Sequence, residues 1–341
     1  FNLCFFDGIL TGAVSVRDIY KTQRIEAQVE VKDFAFNKER MGDATIKSTW
    51  NHDISALEVN LDVIYQGNIG THKPISAKGL IYPGKREKGN FDLDIDVINY
   101  KLASLNPFLK GIASNIKGFA SGNLQMKGTF DKPEITGELD LLRAQMKIDY
   151  LNVTYAFADK VVAEPTNIHA DNITVYDSLG NTGTLDFSLR HKNFRDIRMN
   201  IDISANKLNA LYTTYKQNNL FYGNAFGSGN VNINGSFKDI SIRIDAKSEP
   251  ASQIYIPINL AVDATENSFI RFTGQDTLSG KKPEIYKIKE SGTDVDINLQ
   301  VTDAAAIQLF LPENIGNIKG TGNGNIQIGV DKQGEMTMYG D

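Results

Sequence analysis

The sequence predicts an all-β protein: an elongated, curled antiparallel sheet with an apolar interior and a few short helices. Three observations predict it. Period-two alternation of apolar and polar residues runs from residue 25 to residue 330. Turn signals punctuate it at Asn37–Glu39, Tyr82–Gly84, Asp131–Pro133, Leu179–Gly183, Leu278–Lys282 and Asp331–Gly334. Finally, one segment recurs three times, as LDIDVINYKLASLNPFL (Leu93–Leu109), MNIDISANKLNALYTTY (Met199–Tyr215) and VDINLQVTDAAAIQLFL (Val295–Leu311), at spacings of 106 and 96 residues. A glycine-spaced run follows each copy, from Gly118, Gly223 and Gly320. Repetition at near-constant spacing points to an array of similar units.

The strands follow in order. In RIEAQVEV, Ile25, Ala27, Val29 and Val31 share one face. Ala44, Ile46 and Ser48 do so in GDATIKSTW, with Trp50 packing near the strand end. Phe91, Leu93, Ile95 and Val97 oppose Asp92, Asp94 and Asp96. The scheme repeats at Met199/Ile201/Ile203, at Ile240/Ile242/Ile244 and at Ile254/Ile256/Ile258/Leu260/Val262. This is the pattern of antiparallel strands with one dry and one wet face. With about 11–13 residues per strand and turn, it predicts roughly 25 strands and a length on the order of 100 Å.

One segment reads as helix. Leu102, Leu105, Phe108, Leu109, Ile112 and Ile116 fall at helical spacing, with Pro107 limiting regularity. This stretch is either a cap over the apolar face or a gate lying against it. The equivalent stretches at Leu208–Lys216 and Ala304–Phe310 are expected to form a turn or two of helix. So little helix cannot cover a long apolar face. The sheet packs on a second sheet, closes into a barrel, or curls along its length, and the repeat favours elongation. The units are 1–90, 91–198 with the helical insertion, 199–294, and 295–341 as the start of a further, truncated repeat.

Composition narrows the function classes. The chain has 341 residues, 41% hydrophobic, with 29 Gly and 9 Pro, which suits strands joined by tight turns. The net charge of −5 is interspersed and no basic block occurs, so no nucleic-acid partner is expected. Cys4 is the single cysteine, which excludes an internal disulfide framework. No apolar run reaches the roughly 18 residues needed to span a bilayer. The ends, Phe1 and Asp341, read as cut from a longer chain.

No catalytic constellation emerges, and neither enzyme activity nor a cofactor or metal is expected. The glycine runs lack GxxxxGK[ST] and lead into no helix, so they read as bends and bulges. Asp92/Asp94/Asp96 and Asp294/Asp296 read as a solvated outer face, without the calcium-binding nonapeptide pattern. His52, His72, His169 and His191 are scattered. A glycosidase carboxylate pair stays open as a class, with nothing specific to favour it.

The segment GNLQMKGTFDKPEITGELDL (Gly122–Leu141) resembles a recurring element of the TamB family, an AsmA-like group of envelope proteins. Asp171–Leu211, Phe221–Phe237 and Ile254–Phe272 resemble the C-terminal region of its Bacteroidetes-type members, as does the Asp-x-x-Gly-Asn-Thr-Gly run at Asp177–Gly183. The likeness spans roughly residues 90–341. It implies a "β-taco", a long U-shaped sheet with an apolar trough. It also implies an inner-membrane anchor, a periplasmic course, an outer-membrane barrel of the Omp85/TamA class as partner, and phospholipid transport or protein translocation and assembly. The groove-lining candidates are Leu93, Ile95, Val97, Met199, Ile201, Ile203, Val295, Ile297 and Leu299. Two alternatives stand beside a conduit: an assembly scaffold acting by strand addition, and an extracellular β-sandwich carbohydrate-active protein.

Overall fold

The computed structural model describes residues 5–17, 24–67, 70–84, 89–110, 113–218, 221–236, 238–257, 292–310, 316–333 and 335–340. Within them, 21 strands form one sheet. β1 (Phe6–Arg17), β2 (Arg24–Phe36), β3 (Glu39–Asn51), β4 (Ala56–Gly67), β5 (Gly70–Ile81), β6 (Phe91–Lys101), β7 (Ala113–Gly128) and β8 (Pro133–Ile148) make an antiparallel meander. β9 (Val153–Phe157) and β10 (Lys160–Glu164) act as one interrupted strand beside β8. β11 (Asn167–Tyr176), β12 (Thr182–Lys192), β13 (Arg195–Thr213) and β14 (Tyr222–Ser236) continue the meander. β15 (Asp239–Ser248) and β16 (Gln253–Pro257) both pair with β14.

The sheet then departs from the antiparallel expectation. β17 (Gly292–Val301) runs parallel to β15, and β18 (Ala306–Phe310) parallel to β16. A hairpin cannot join parallel neighbours, which need a longer connection. The strand expected at Ile258, Leu260 and Val262, and the turn at Leu278–Lys282, lie outside the described residues. β19 (Asn317–Thr321) pairs with β18, β20 (Gly324–Val330) with β17, and β21 (Met336–Gly340) with β20.

A line of irregularities crosses this sheet. On β2, β6, β11 and β13 two residues oppose one on the partner strand: Lys32–Asp33 face Asp43, Ile98–Asn99 face Ser121, Asp171–Asn172 face Asp186, and Asn206–Lys207 face Ser228. Each is a β-bulge, which bends the strand and increases its twist. The second residue of each is in the left-handed region, with φ of 52° at Asp33 and Asn99, 58° at Asn172 and 59° at Lys207. In the last repeat the bulge widens into the break between β17 and β18, opposite the break between β19 and β20. The pairing also refines the repeat. Val97, Ala205 and Val301 precede the irregularity and face Gly122, Gly229 and Gly324. Ala205 lies 108 positions after Val97, so the first two copies are offset by two residues from the spacing of 106.

A bulge shifts the alternation by one. Val31 and Phe34, Ala170 and Ile173, and Ala205 and Leu208 therefore lie on the same face although three apart. The clusters follow. Ala170, Ile173, Val175 and Leu208 pack with Val161, Leu185, Phe187 and Ile203. Met41, Ala44 and Val63 pack with Val31, Phe34, Phe36 and Tyr100. Each cluster joins residues from both sides of the bulge line, which makes the apolar face the concave one.

The helix is shorter than predicted. A 3-10 helix spans Leu102–Leu109, and Ala113 already belongs to β7, so Ile116 is a strand residue. Ile112 lies outside the described residues. Pro107 has no N–H to donate, and the spacing of Leu102, Leu105 and Phe108 is the three-residue turn of a 3-10 helix. The turns of helix expected at Leu208–Lys216 and Ala304–Phe310 do not form. Leu208–Thr213 continues β13, where the bulge gives strand residues a three-residue apolar spacing, and Ala306–Phe310 forms β18.

The run at Asp177–Gly183 has a structural explanation. Asp177 is 6% exposed. Its Oδ1 accepts hydrogen bonds from the N–H groups of Leu179 (2.8 Å) and Asn181 (2.9 Å), and its Oδ2 from the Asn181 side chain (2.8 Å) and the Asn209 N–H (2.9 Å). Gly180 takes φ 87° within the turn. Gly183 lies so close to β13 that a Cβ there would meet Leu208 Cδ1 at 2.7 Å. Asp331 repeats the turn, accepting from Gln333 and Glu335 at 2.9 and 2.8 Å. Burial alone raises the Asp177 pKa, but the hydrogen bonds from Asn181, Asn209 and Leu179 outweigh it and hold the carboxyl below its ordinary value.

A folded-state pKa below the unfolded one gives stability that is present above the unfolded value and lost as pH falls through the folded one. Asp177→Asn should therefore cost about 2–3 kcal/mol at neutral pH, and the deficit should shrink as pH is lowered below about 4. Urea unfolding of both proteins between neutral and acidic pH measures this. A deficit independent of pH would remove the carboxylate from the explanation.

Candidate functional site

The concave face is organised as apolar rows that cross the strands. One row runs Val29, Ile46, Leu61, Ala77, Ile95 and Leu124. It continues through Gly137, Ala163, Ile168 and Leu189 to Met199, Gly235 and Ile240. A second row runs Leu10, Val31, Ala44, Val63, Ile75, Val97, Gly122 and Leu139, and resumes as Ala170, Phe187, Ile201, Ile233, Ile242, Val295 and Val330. A third holds Leu185, Ile203, Val231, Ile244, Ile297, Ile328 and Met338. At about 4.8 Å per strand, the first row extends for on the order of 60 Å.

All nine lining candidates lie on this face, in rows the pairing register sets. Ile95 shares a row with Met199, and Val97 shares one with Ile201 and Val295. Leu93 sits between Gly79 and Met126, and Leu299 between Ala246 and Ile326. Burial grades along the strands. Next to the bulges the face is filled by small or tightly packed side chains: Ala120 and Ala170 are 2% exposed, Ala144 1% and Ile173 0%. Leu93, Ile95, Ile201 and Leu299 are half-buried, beside their row neighbours, while the half-buried Ile203 and Ile297 also pack against the clusters around Ile173 and Ile256. On β1 the rows are bare, with Leu10 69% and Val14 68% exposed.

The 3-10 helix closes part of the other side. Leu102 and Leu109 pack into a cluster with Ile116, Ala120 and Ala144. Phe108 meets Phe36 at 6.2 Å between ring centres, while Leu105 is 38% exposed. Two asparagines fasten the helix. Asn106 Oδ1 accepts the Ile116 N–H (2.9 Å) and its Nδ2 donates to the Ile116 carbonyl (3.3 Å), as a neighbouring strand would. Asn37, 5% exposed, donates Nδ2 to the Ser104 carbonyl at 2.9 Å.

The convex face is polar. Its aspartates pair with amides across strands: Asp96 with Asn123 (2.6 Å), Asp202 with Asn232 (2.6 Å) and Asp245 with Asn298 (2.7 Å). Of the acids that alternate in sequence, Asp94 and Asp96 thus meet the amides of Gln125 and Asn123 on the next strand. Among the described residues no group of three His, Cys, Asp or Glu converges to hold a metal ion. His191 stacks on Phe194 at 4.5 Å, and burial lowers its pKa. Sequence reasoning missed the bulge residues and their partners. The available signal was the slip from period two to a spacing of three, with Asp, Asn or Lys just before the second apolar residue.

These features define the class: an all-β curled sheet distinguished by a continuous apolar concave face. The family comparison then identifies it. Residues 171–341 match the TamB C-terminal domain, and the chain belongs to the TamB family, whose role lies in lipid or protein transport or assembly at the cell envelope. No curated protein and no solved structure matches the chain. Among the described residues no helix is long and apolar enough to cross a membrane.

The grading of burial predicts unequal mutational costs. Ile173→Ala should destabilise by about 2–4 kcal/mol, because a fully buried side chain leaves a cavity. Ile201→Ala, half-buried with no layer above it, should cost on the order of 1 kcal/mol. Equal losses in urea unfolding would mean that the Ile201 row is covered after all.

Proposed function

We propose that the concave face is a groove that carries the acyl chains of phospholipids across the periplasm. The parent protein would be anchored in the inner membrane and would meet an outer-membrane barrel of the TamA class. The observation that carries this reading is the set of half-buried apolar rows running over many strands. Exposing an acyl chain to water costs about 0.8 kcal/mol per CH₂, so a whole tail faces a barrier on the order of 10 kcal/mol. A face that offers apolar contact at every strand lowers that barrier step by step. It needs no reacting group, and we assign the chain no enzymatic activity.

In this reading the 3-10 helix is a fixed cap. Its anchors hold it through side-chain amides, Asn106 standing in for a strand partner of Ile116 and Asn37 donating to the Ser104 carbonyl, and displacing it would leave those groups unpaired. A second reading draws on β1. Among the described residues this edge strand pairs with β2 alone, and it exposes Phe6, Ile9, Leu10 and Val14 by 68–71%. Unpaired apolar edges accept added strands, which suits a scaffold for a client polypeptide.

Photo-crosslinking in cells separates the two. Crosslinkers at Ile95, Ile201 and Ile297 should capture phospholipid, and Ile201→Asp should abolish capture at Ile297 while leaving the circular dichroism spectrum unchanged. Protein adducts confined to β1, with no lipid adduct at any of the three concave positions, would replace the conduit with the scaffold.

A further inference from the structure

The left-handed bulges on β2, β6, β11 and β13, and the widened break after β17, carry the same hydrogen bond; the bulge on β5, where Lys73 and Pro74 face Ile64, does not. The second bulge residue turns its N–H out of the strand ladder, and the residue directly opposite accepts it with a side-chain oxygen. Asp33 donates to Asp43 Oδ1 at 2.9 Å, Asn99 to Ser121 Oγ at 2.9 Å and Lys207 to Ser228 Oγ at 3.0 Å. Asn172 donates to Asp186 Oδ1, and Asp303, at the widened break, to Asn323 Oδ1 at 3.3 Å. The acceptors differ in chemistry and share only their position. Each immediately precedes the residue that pairs with the last regular residue before the bulge: Ala44, Gly122, Phe187, Gly229 or Gly324.

We infer that Asp43, Ser121, Asp186, Ser228 and Asn323 are positioning residues that hold a crease across the sheet and thereby set the opening between its two arms. Two forces act at each bulge, and they are separable. Burial of the residue after it, such as Ile173 or Leu208 (0% and 3% exposed), keeps the bulge in place, because a regular ladder would turn that side chain outward. Burial does not fix the angle of the bend. The left-handed conformation is costly outside glycine, least so for the Asp and Asn that hold it at three of these four bulges, and the N–H there needs a partner once it leaves the ladder. The cap supplies that partner from the facing strand, and so ties the bend of one strand to the position of the next. Repeated along the line, the caps make the bend common to the whole sheet.

The crease concerns shape and holds whatever occupies the concave face. It is tested on the full chain with Cys4→Ser, carrying spin labels at Tyr176→Cys and Lys192→Cys. These exposed positions lie at the two ends of the β11–β12 hairpin. The bend between them is the one at Asn172, capped by Asp186. With the caps intact, the labels should give a single narrow distance distribution. The triple variant Ser121→Ala/Asp186→Ala/Ser228→Ala should broaden it and lengthen it by roughly one strand spacing. Ser121→Thr/Asp186→Asn/Ser228→Thr, which keeps an acceptor at each place, should restore the narrow distribution. If the triple variant does not fold, Ser228→Ala alone carries the test by hydrogen exchange. The Lys207 amide should then exchange at least tenfold faster, while amides of β13 outside the bulge hold their rates. An unchanged distance distribution in a folded triple variant, or unchanged Lys207 exchange, overturns the crease. Both readouts are made without lipid, so failed lipid capture in cells counts against the conduit alone.

Discussion

A sheet with one dry face has to hide that face, and in this protein the chain does so by bending the sheet. The described residues hold one short helix, and their strands form one sheet with no second sheet packed against it. The bulge line lets the two sides of a single sheet shield each other. Each bulge shifts the alternation by one residue, so strands keep their apolar side chains on the concave face while changing direction. The clusters around Ile173, Met41 and Ile116 are the consequence, since each draws side chains from both sides of the line.

The same constraint explains the distribution of side-chain size. Close to the bend the arms approach, and the buried residues there are often alanine: Ala44, Ala120, Ala144 and Ala170. Farther out the arms diverge and isoleucine, leucine and valine take over, half-buried. A filled seam next to an open apolar face is what a single folded sheet produces, whereas a sandwich would bury both inner faces evenly. Where the second arm is short, between β3 and β6, the 3-10 helix fills in. Of its asparagine anchors, Asn106 behaves as a peptide group toward the Ile116 N–H and carbonyl of β7, and Asn37 donates to the helix carbonyl of Ser104.

Polar groups are satisfied in the same cross-strand manner. On the convex face Asp96, Asp202 and Asp245 meet amides on the next strand, while Asp62 meets Lys73. Within the fold, Asp177 directs its oxygens to backbone N–H groups of its own turn and of β13, so a charged side chain serves as the fastening between a hairpin and its neighbour. Tyr155 completes the corner by donating to the Asn209 carbonyl at 2.7 Å, with burial and then the Asp177 charge raising its pKa.

Much of this was legible in the sequence. Alternation in segments such as Phe91–Val97 and Met199–Ile203 determines strands with one apolar face, and the turn at Asp177–Gly183 announces itself by residue type. The threefold segment determines that the pattern is repeated. Those features depend on local chemistry, with period two for side chains and fixed offsets for turns. The tertiary structure decided the rest. A spacing of three at Ala205–Leu208 reads as helix when taken alone and becomes a bulge only because Ser228 and Gly227 stand opposite. The parallel entry of β17 depends on which earlier strand it meets, and the row shared by Ile95 and Met199 depends on the register of every strand between them. Such choices are made by cross-strand hydrogen bonds between residues far apart in sequence, and no local pattern encodes them.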